Sequence, residues 1–387
     1  LHLNPFDRTN PNKAVMEATT RQYLFNPQVK GLGYIRIKGL TFEHAGNGFI
    51  RSGNGAVTTW GGHHWIIEDN TVQQINAVAI EIGAFTDERS ESGDREVLEK
   101  KTGGHLVRGN HVSDCGTGGI QGTLVPRSLV ANNHIHDCGW QEVQSYLETA
   151  GIKILLTLDS VVQCNHIHHC HAAPGIWSDC ANRNSRVCRN LLPDIAAANG
   201  AIFFEASNVP NQIDHNIIYN VEGGSGIYQR DCDRLLIDHN LIQNCSAAGV
   251  RMRKTQHRDR IGVCKNNRVV NNIIAGCLTA FDYEIMENIS NYNLLSNIGE
   301  DFSLGEWQTT GLDTDSRTAE LDLAIDPTNQ CLTWSSQADA VLRVRRDDEY
   351  QSLDYFGRSY PGVEIPVGPF TDGWSSVCRR LRLISNS

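Results

Sequence analysis

Asn133–Cys138 reads NHIHDC and Asn165–Cys170 reads NHIHHC, two strings 32 residues apart that differ at one position. Outward from them, the same pattern recurs at Asn70, Asn110, Asn190, Asn216, Asn240 and Asn272: an asparagine, then an apolar pair or alternation. Successive asparagines are 40, 23, 32, 25, 26, 24 and 32 residues apart, so a base period near 24 carries loop insertions. Five residues after each asparagine stands Ile75, Cys115, Cys138, Cys170, Ile195, Val221, Cys245 or Cys277. Cysteine alternating with Ile and Val in one register behaves as a small buried hydrophobe. Five of the twelve cysteines are therefore expected as an interior stack of reduced thiols, and no CxxC pair offers zinc spacing.

A repeat of this length with short Val/Ile-rich strands and glycine turns is too short for helical hairpins, and the leucine-rich signature is missing. It predicts an all-β, right-handed parallel β-helix of about ten coils over residues 30–300. Residues 1–29 are expected as leading cap strands and 301–387 as a C-terminal capping segment, since a terminal coil otherwise exposes strand edges. Stacked asparagine amides satisfy backbone groups of the next coil. His134, His136, His166, His168 and His169 fall at outward positions, which strand alternation explains without a metal.

Composition narrows the function classes. The chain has 387 residues, 40% hydrophobic, with 34 Lys plus Arg against 44 Asp plus Glu. A formal charge of −10 gives no electrostatic footprint for nucleic acid or an anionic membrane. No apolar run approaches the roughly 20 residues of a membrane span. The absence of an initiator Met and signal peptide suggests a start after processing or truncation. Compartment stays open, a secreted or periplasmic setting being preferred to a cytoplasmic one. Asn288-Ile289-Ser290 forms a glycosylation sequon.

A second landmark follows each asparagine: a glycine before the apolar start of a strand, as in Gly119-Ile120, Gly151-Ile152, Gly175-Ile176, Gly226-Ile227 and Gly249-Val250. With that apolar residue pointing inward, the next residue and the one two further on point outward. The first outward row reads Gln121, Lys153, Trp177, Phe203, Tyr228, Arg251, and the second Thr123, Leu155, Asp179, Glu205, Arg230, Arg253. Neighbouring strands run about 4.8 Å apart, so Asp179 and Glu205, one coil apart, are expected about 5 Å from each other. Retaining glycosidases need about 5–5.5 Å between their carboxyls and inverting ones about 6.5–9.5 Å. Like charges that close push one pKa up, which suits an acid/base pair. Exposed Trp177, Phe203 and Tyr228 are expected as apolar platforms for a sugar ring.

The runs LETAGIK (147–153), GIWSDCANRNSRVCRNLL (175–192) and IFFEASNVPNQIDHNII (202–218) resemble glycoside hydrolase family 120, the retaining β-xylosidases, and its β-helix relatives. GLGYIRIKGLTFEHAG (31–46) and WIIEDNTV (65–72) resemble that family's opening coils, and DYFGRSYPG (354–362) and VGPF (367–370) its closing segment. The resemblance implies Asp179 as nucleophile and Glu205 as acid/base, the positions the strand register selects, and matches Glu148 and Trp177 to family positions. Departures lie around them: Ser178 and Cys180 replace Leu and Trp, Leu155 stands where the family usually has His, and Ala206–Val209 differ from its Val-Asn-His-Gly. The family's inserted β-sandwich has no counterpart, which leaves room for a second copy of the chain to close the site. Reaction type is thus better marked than sugar.

The leading expectation is a retaining glycosidase with a carbohydrate substrate and no metal or cofactor. Its substrate contacts are expected from Glu148, Lys153, Trp177, Phe203, Tyr228, Arg230, Arg251, Arg253 and, on the insertion 139–148, Trp140 with Tyr146. A charged insertion at 84–104 reads as a lid. A polysaccharide lyase using Lys153 or Arg251, and a non-catalytic carbohydrate-binding β-helix, are the alternatives.

Overall fold

The computed structural model describes residues 9–16, 18–48, 55–83, 99–143, 148–255, 262–326, 331–336, 342–345, 353–360, 362–371 and 379–380. Each Asn repeat is one coil of a parallel β-helix, giving one short strand to each of three sheets. Among the described residues the first sheet holds ten strands, from Arg36–Lys38 to Ile289–Asn291. The second holds eleven, from Thr41–Ala45 to Arg317–Thr318, and the third nine, from Val57–Thr58 to Thr279–Tyr283.

The interior is built from in-register rows of β-branched side chains, which suit a pleated buried surface. Ile37, Ile67, Val107, Val130, Val162, Val187, Ile213, Ile237 and Val269 stack along the first sheet, all buried. On the second sheet the row Ala45, Ile75, Cys115, Cys138, Cys170, Ile195, Val221, Cys245 is equally buried, and its cysteines are free thiols. Burial pushes the Cys170 thiol well above its ordinary range, so it packs as a hydrophobe. Cys331, outside the repeat, is disulfide-bonded. Where the third sheet begins, glycine is needed for close approach: a Cβ on Gly226 would lie 2.3 Å from Ile242 Cγ2.

The asparagines form a continuous ladder. The N–H and Nδ2 of Asn190 donate to Asn216 Oδ1 at 3.0 and 2.9 Å, and those of Asn216 donate to Asn240 Oδ1 at 3.0 Å. The ladder holds a corner that the periodicity does not reveal. Asp69, Asn132, Cys164, Arg189, His215, His239 and Asn271, each just before a ladder asparagine, take φ between 52° and 59°. Left-handed backbone is costly for side chains such as Arg and Cys, and the amide bonds offset that cost. Asn288 belongs to a second ladder: its Oδ1 accepts from Asn267 N at 2.9 Å and its Nδ2 donates to Cys264 O at 3.0 Å. The sequon reading therefore fails, because this buried amide is already engaged.

The outward row one residue after the ladder changes chemistry along the second sheet. It runs His111, His134, His166, then Leu191, Ile217, Leu241, Ile273, Leu294. The apolar half is covered by Leu332, Leu342, Val344, Tyr355, Tyr360, Ile365, Val367 and Phe370 of the C-terminal segment, which lies back along the flank. A buried polar chain ties it down: Arg186 pairs with Asp214, His215 Nδ1 with Asp214 at 2.8 Å, and His215 Nε2 with Tyr360 Oη at 2.9 Å. The end of the helix is closed by residues nearer the last coil. Ser303 caps the short helix Leu304–Gln308, and Trp307 stacks on Phe281 at 5.5 Å.

At the first coils Glu68 lies among Arg36, Lys38 and Arg108, its side chain only 1% exposed. Hydrogen bonds from Arg36 and then Arg108 bring its carboxyl down to about 2, against the opposing effect of burial. The folded value lies below the unfolded one of about 4.3, so this stabilisation is present above that pH and lost as pH falls toward 2. Glu68→Gln is expected to flatten the fall in Tm between about pH 4.3 and 2. Equal slopes in both proteins would count against it.

Candidate active site

The third sheet carries the two outward rows in the register its glycine landmarks predict. Gln121, Lys153, Trp177, Phe203, Tyr228 and Arg251 are aligned partners on successive strands. In the second row Leu155 aligns with Asp179, and Glu205 with Arg230 and then Arg253. Asp179 ends the strand Ile176–Asp179 and Glu205 ends the next, Ile202–Glu205. Both are outward because Ile176 and Ile202, each three residues earlier, fill the core.

Each carboxylate has its own cation. Lys153 Nζ lies 3.0 Å from Asp179 Oδ2, 2.9 Å from Glu148 Oε2 and 3.1 Å from the Trp177 ring centroid. Its side chain is 1% exposed, so a buried ammonium is clamped between two carboxylates and an indole face. The other oxygen of Asp179, Oδ1, accepts the Cys180 N–H at 2.7 Å, which fixes the carboxylate plane. Arg230 donates to Glu205 Oε1 through Nη2 at 2.6 Å and Nε at 3.2 Å. Glu205 is 4% exposed, whereas Asp179 is half-buried. Glu148 takes φ 79°, a strained backbone for a non-glycine residue, and Gln121 Nε2 lies 3.4 Å from its carboxylate. Four successive coils, carrying Lys153, Asp179, Glu205 and Arg230, thus form one strip of paired acids and bases.

A family model described as the right-handed β-helix region matches residues 28–224, just over half of the chain. The chain belongs to this right-handed β-helix family. Among solved structures, this β-helix is similar to XylC in complex with xylose: 20% identity, 96% of this chain and 70% of that one, TM-score 0.68. The tailspike protein of E. coli bacteriophage HK620 in complex with a hexasaccharide is 12% identical over 69% of this chain and 46% of that one, TM-score 0.48. An alginate lyase from Paenibacillus sp. is 13% identical over 62% and 78%, TM-score 0.37. The last two overlay too loosely to carry an argument, and XylC shows the shared fold. Comparison with curated proteins returned no match.

Several residues read from the β-helix repeat have other surroundings than expected. Trp177, Phe203 and Tyr228 point out of the coil but are buried in a stack of their own, with centroids 5.2 and 5.1 Å apart. Cations cover their faces: Lys153 on Trp177, Arg230 at 5.1 Å from Phe203 and Arg251 at 5.4 Å from Tyr228. They are supports for the charged groups, not open sugar platforms. Arg251 and Arg253 both reach Asp282 on the following coil, away from the two carboxylates. Asp282 escaped the sequence reading because Thr279-Ala280 precedes its strand's inward Phe281, with neither the landmark glycine nor the Gly200-Ala201 variant of it. Trp140 is 46% exposed on a turn whose next residue, Gln141, donates to Asn76 O at 2.7 Å, toward the N-terminal coils. Tyr146 and residues 84–98 of the expected lid lie outside the described residues. The end of that insertion is anchored, with buried Glu99 paired to Arg183. A cleft of about 640 Å³ lined by His171, Asp194, Asn220, Glu222 and Asn244 lies along the ends of second-sheet strands, on a different sheet from Asp179.

Proposed function

We propose that this β-helix is a retaining glycoside hydrolase acting on an oligo- or polysaccharide, with Asp179 as nucleophile and Glu205 as acid/base. The observation that carries the reading is two carboxylates ending adjacent strands of one sheet, each beside its own cation. Strand spacing of about 4.8 Å suits direct attack better than insertion of a water between them. The xylose held by XylC, a protein of the same fold, favours a sugar ligand.

In the first step an Asp179 oxygen forms a bond to the anomeric carbon while the bond to the leaving oxygen breaks and Glu205 delivers its proton there. In the second, Glu205 takes a proton from water, the water oxygen bonds to the anomeric carbon, and Asp179 leaves as carboxylate. Lys153 and the Cys180 N–H orient Asp179, and Glu148 holds Lys153. Arg230 donates to Oε1 of Glu205 and orients its carboxyl.

The lyase alternative requires Lys153 or Arg251 to abstract a proton. Lys153 is buried against two carboxylates and Arg251 is paired with Asp282, which disfavours both. A non-catalytic binding role is weakened by the burial of the aromatic stack.

A panel of aryl glycosides (β-xyloside, α-arabinoside, β-galactoside, α-fucoside) and xylo-oligosaccharides tests the reading, with the product anomer followed by proton NMR. Hydrolysis with retention is expected. An unsaturated product absorbing in the ultraviolet would replace it with the lyase, and binding without turnover would replace it with the binding module.

A further inference from the structure

The uncovered half of the second sheet carries a dense group of imidazoles. His111, His134 and His166 occupy one outward row, and His136 and His168 the adjacent one, on the successive strands His111–Cys115, His134–Cys138 and His166–His171. The same row turns to leucine and isoleucine where the C-terminal segment covers it. Strand alternation explains why these positions face outward, but not why all five are histidine in mutual contact.

We propose that these histidines form a binding site for a divalent transition-metal ion of the zinc class, bridging three coils of the helix. Two sets of three ring nitrogens each lie within 4.8 Å of one another: His111 with His134 and His136, and His134 with His166 and His168. His134 belongs to both sets. The Nε2 atoms of His134 and His168 are 2.8 Å apart, and those of His136 and His111 3.0 Å. Ligands at about 2.0–2.1 Å from a tetrahedral ion stand roughly 3.3 Å apart, so a few tenths of an ångström of side-chain movement opens each pair to an ion.

A second observation points the same way. His136 Nδ1 lies 2.6 Å from Asp137 Oδ2. An ionised carboxylate only accepts hydrogen bonds, so Nδ1 carries the proton and the Nε2 lone pair faces the cluster. That is the carboxylate–histidine–metal arrangement, which sets the tautomer and raises ligand basicity. Three imidazoles with one position left for water suit Zn²⁺, Co²⁺, Ni²⁺ or Cu²⁺, whereas Ca²⁺ and Mg²⁺ prefer oxygen. The site lies on a different sheet from Asp179 and stands independently of the glycosidase reading.

The test uses the full chain, stripped with a chelator and titrated with zinc chloride alone by calorimetry, with metal content measured after desalting. One ion per chain with a Kd of about 1 µM or tighter is expected, with a rise in Tm of about 3 °C at saturation. His134→Ala removes the shared ligand and is expected to weaken binding by more than about 100-fold, and Asp137→Asn by about tenfold. His64→Ala, an exposed histidine elsewhere, leaves binding unchanged. Should His134→Ala fail to fold, His136→Gln and His168→Gln carry the same comparison. Wild-type protein that retains no zinc, or ligand variants that bind as tightly as wild type, would overturn the proposal.

Discussion

Asp179→Asn is expected to lower kcat on any glycoside the wild type cleaves by on the order of 10⁴-fold, with Tm nearly unchanged. The substitution is isosteric and removes only the nucleophilic charge. Lys153 keeps Glu148 at 2.9 Å, so its buried ammonium is not stranded. Glu205→Gln should behave differently. Its first step still works with a leaving group that needs no proton, so an activated aryl glycoside should give a burst of phenol and then stall in hydrolysis of the glycosyl-enzyme. Azide separates the roles further: with Asp179→Ala it should attack the sugar directly and give the inverted glycosyl azide. With Glu205→Ala it should attack the covalent intermediate and give the retained one. Activity within tenfold of wild type in both amide variants would remove these residues from the chemistry. Identical azide products would remove the assignment of roles.

Asn216→Ala is expected to cost about 3–5 kcal/mol, the largest stability loss of any single exchange on the helix surface or ladder. Asn216 Oδ1 accepts from the N–H and Nδ2 of Asn190, and its Nδ2 donates to Val187 O and Asn240 Oδ1 at 3.0 Å. Alanine strips two donors of Asn190 and the Val187 carbonyl of these partners, while Asn240 Oδ1 keeps only the residue-216 N–H, in a place water does not reach, since Asn190, Asn216 and Asn240 are all fully buried. It also removes the bonds that hold His215 and His239 in the left-handed corner. Asn216→Asp keeps the acceptor but loses both donations, so an intermediate loss is expected. Equilibrium urea denaturation of the three proteins measures the difference, and a loss below about 1 kcal/mol for alanine would mean the ladder does not stabilise the coil stack.

Much of the coil architecture was legible because parallel stacking repeats a local rule. Each coil must put an apolar residue inward at the same place, so Cys115, Cys138, Cys170 and Cys245 announce one buried row. The left-handed corners at Cys164, Arg189 and His215 gave no such signal, because their side chains vary freely while the constraint lies in φ. The switch from His166 to Leu191 in the outward row was visible in the sequence, but its cause, the C-terminal segment, is more than a hundred residues away.

The same division runs through the candidate site. Sequence alone determined that Asp179 and Glu205 share a face and sit one coil apart, since strand alternation and a period near 24 are properties of the local chain. It also placed Lys153, Trp177, Phe203 and Tyr228 in one row. Only the tertiary structure decided that the three aromatic rings are buried under Lys153, Arg230 and Arg251, that Lys153 joins Glu148 to Asp179, and that Arg251 and Arg253 turn to Asp282. Periodicity states which way a side chain leaves the backbone. What it meets there depends on long flexible charged groups from neighbouring coils, whose reach and pairing no single-strand pattern encodes.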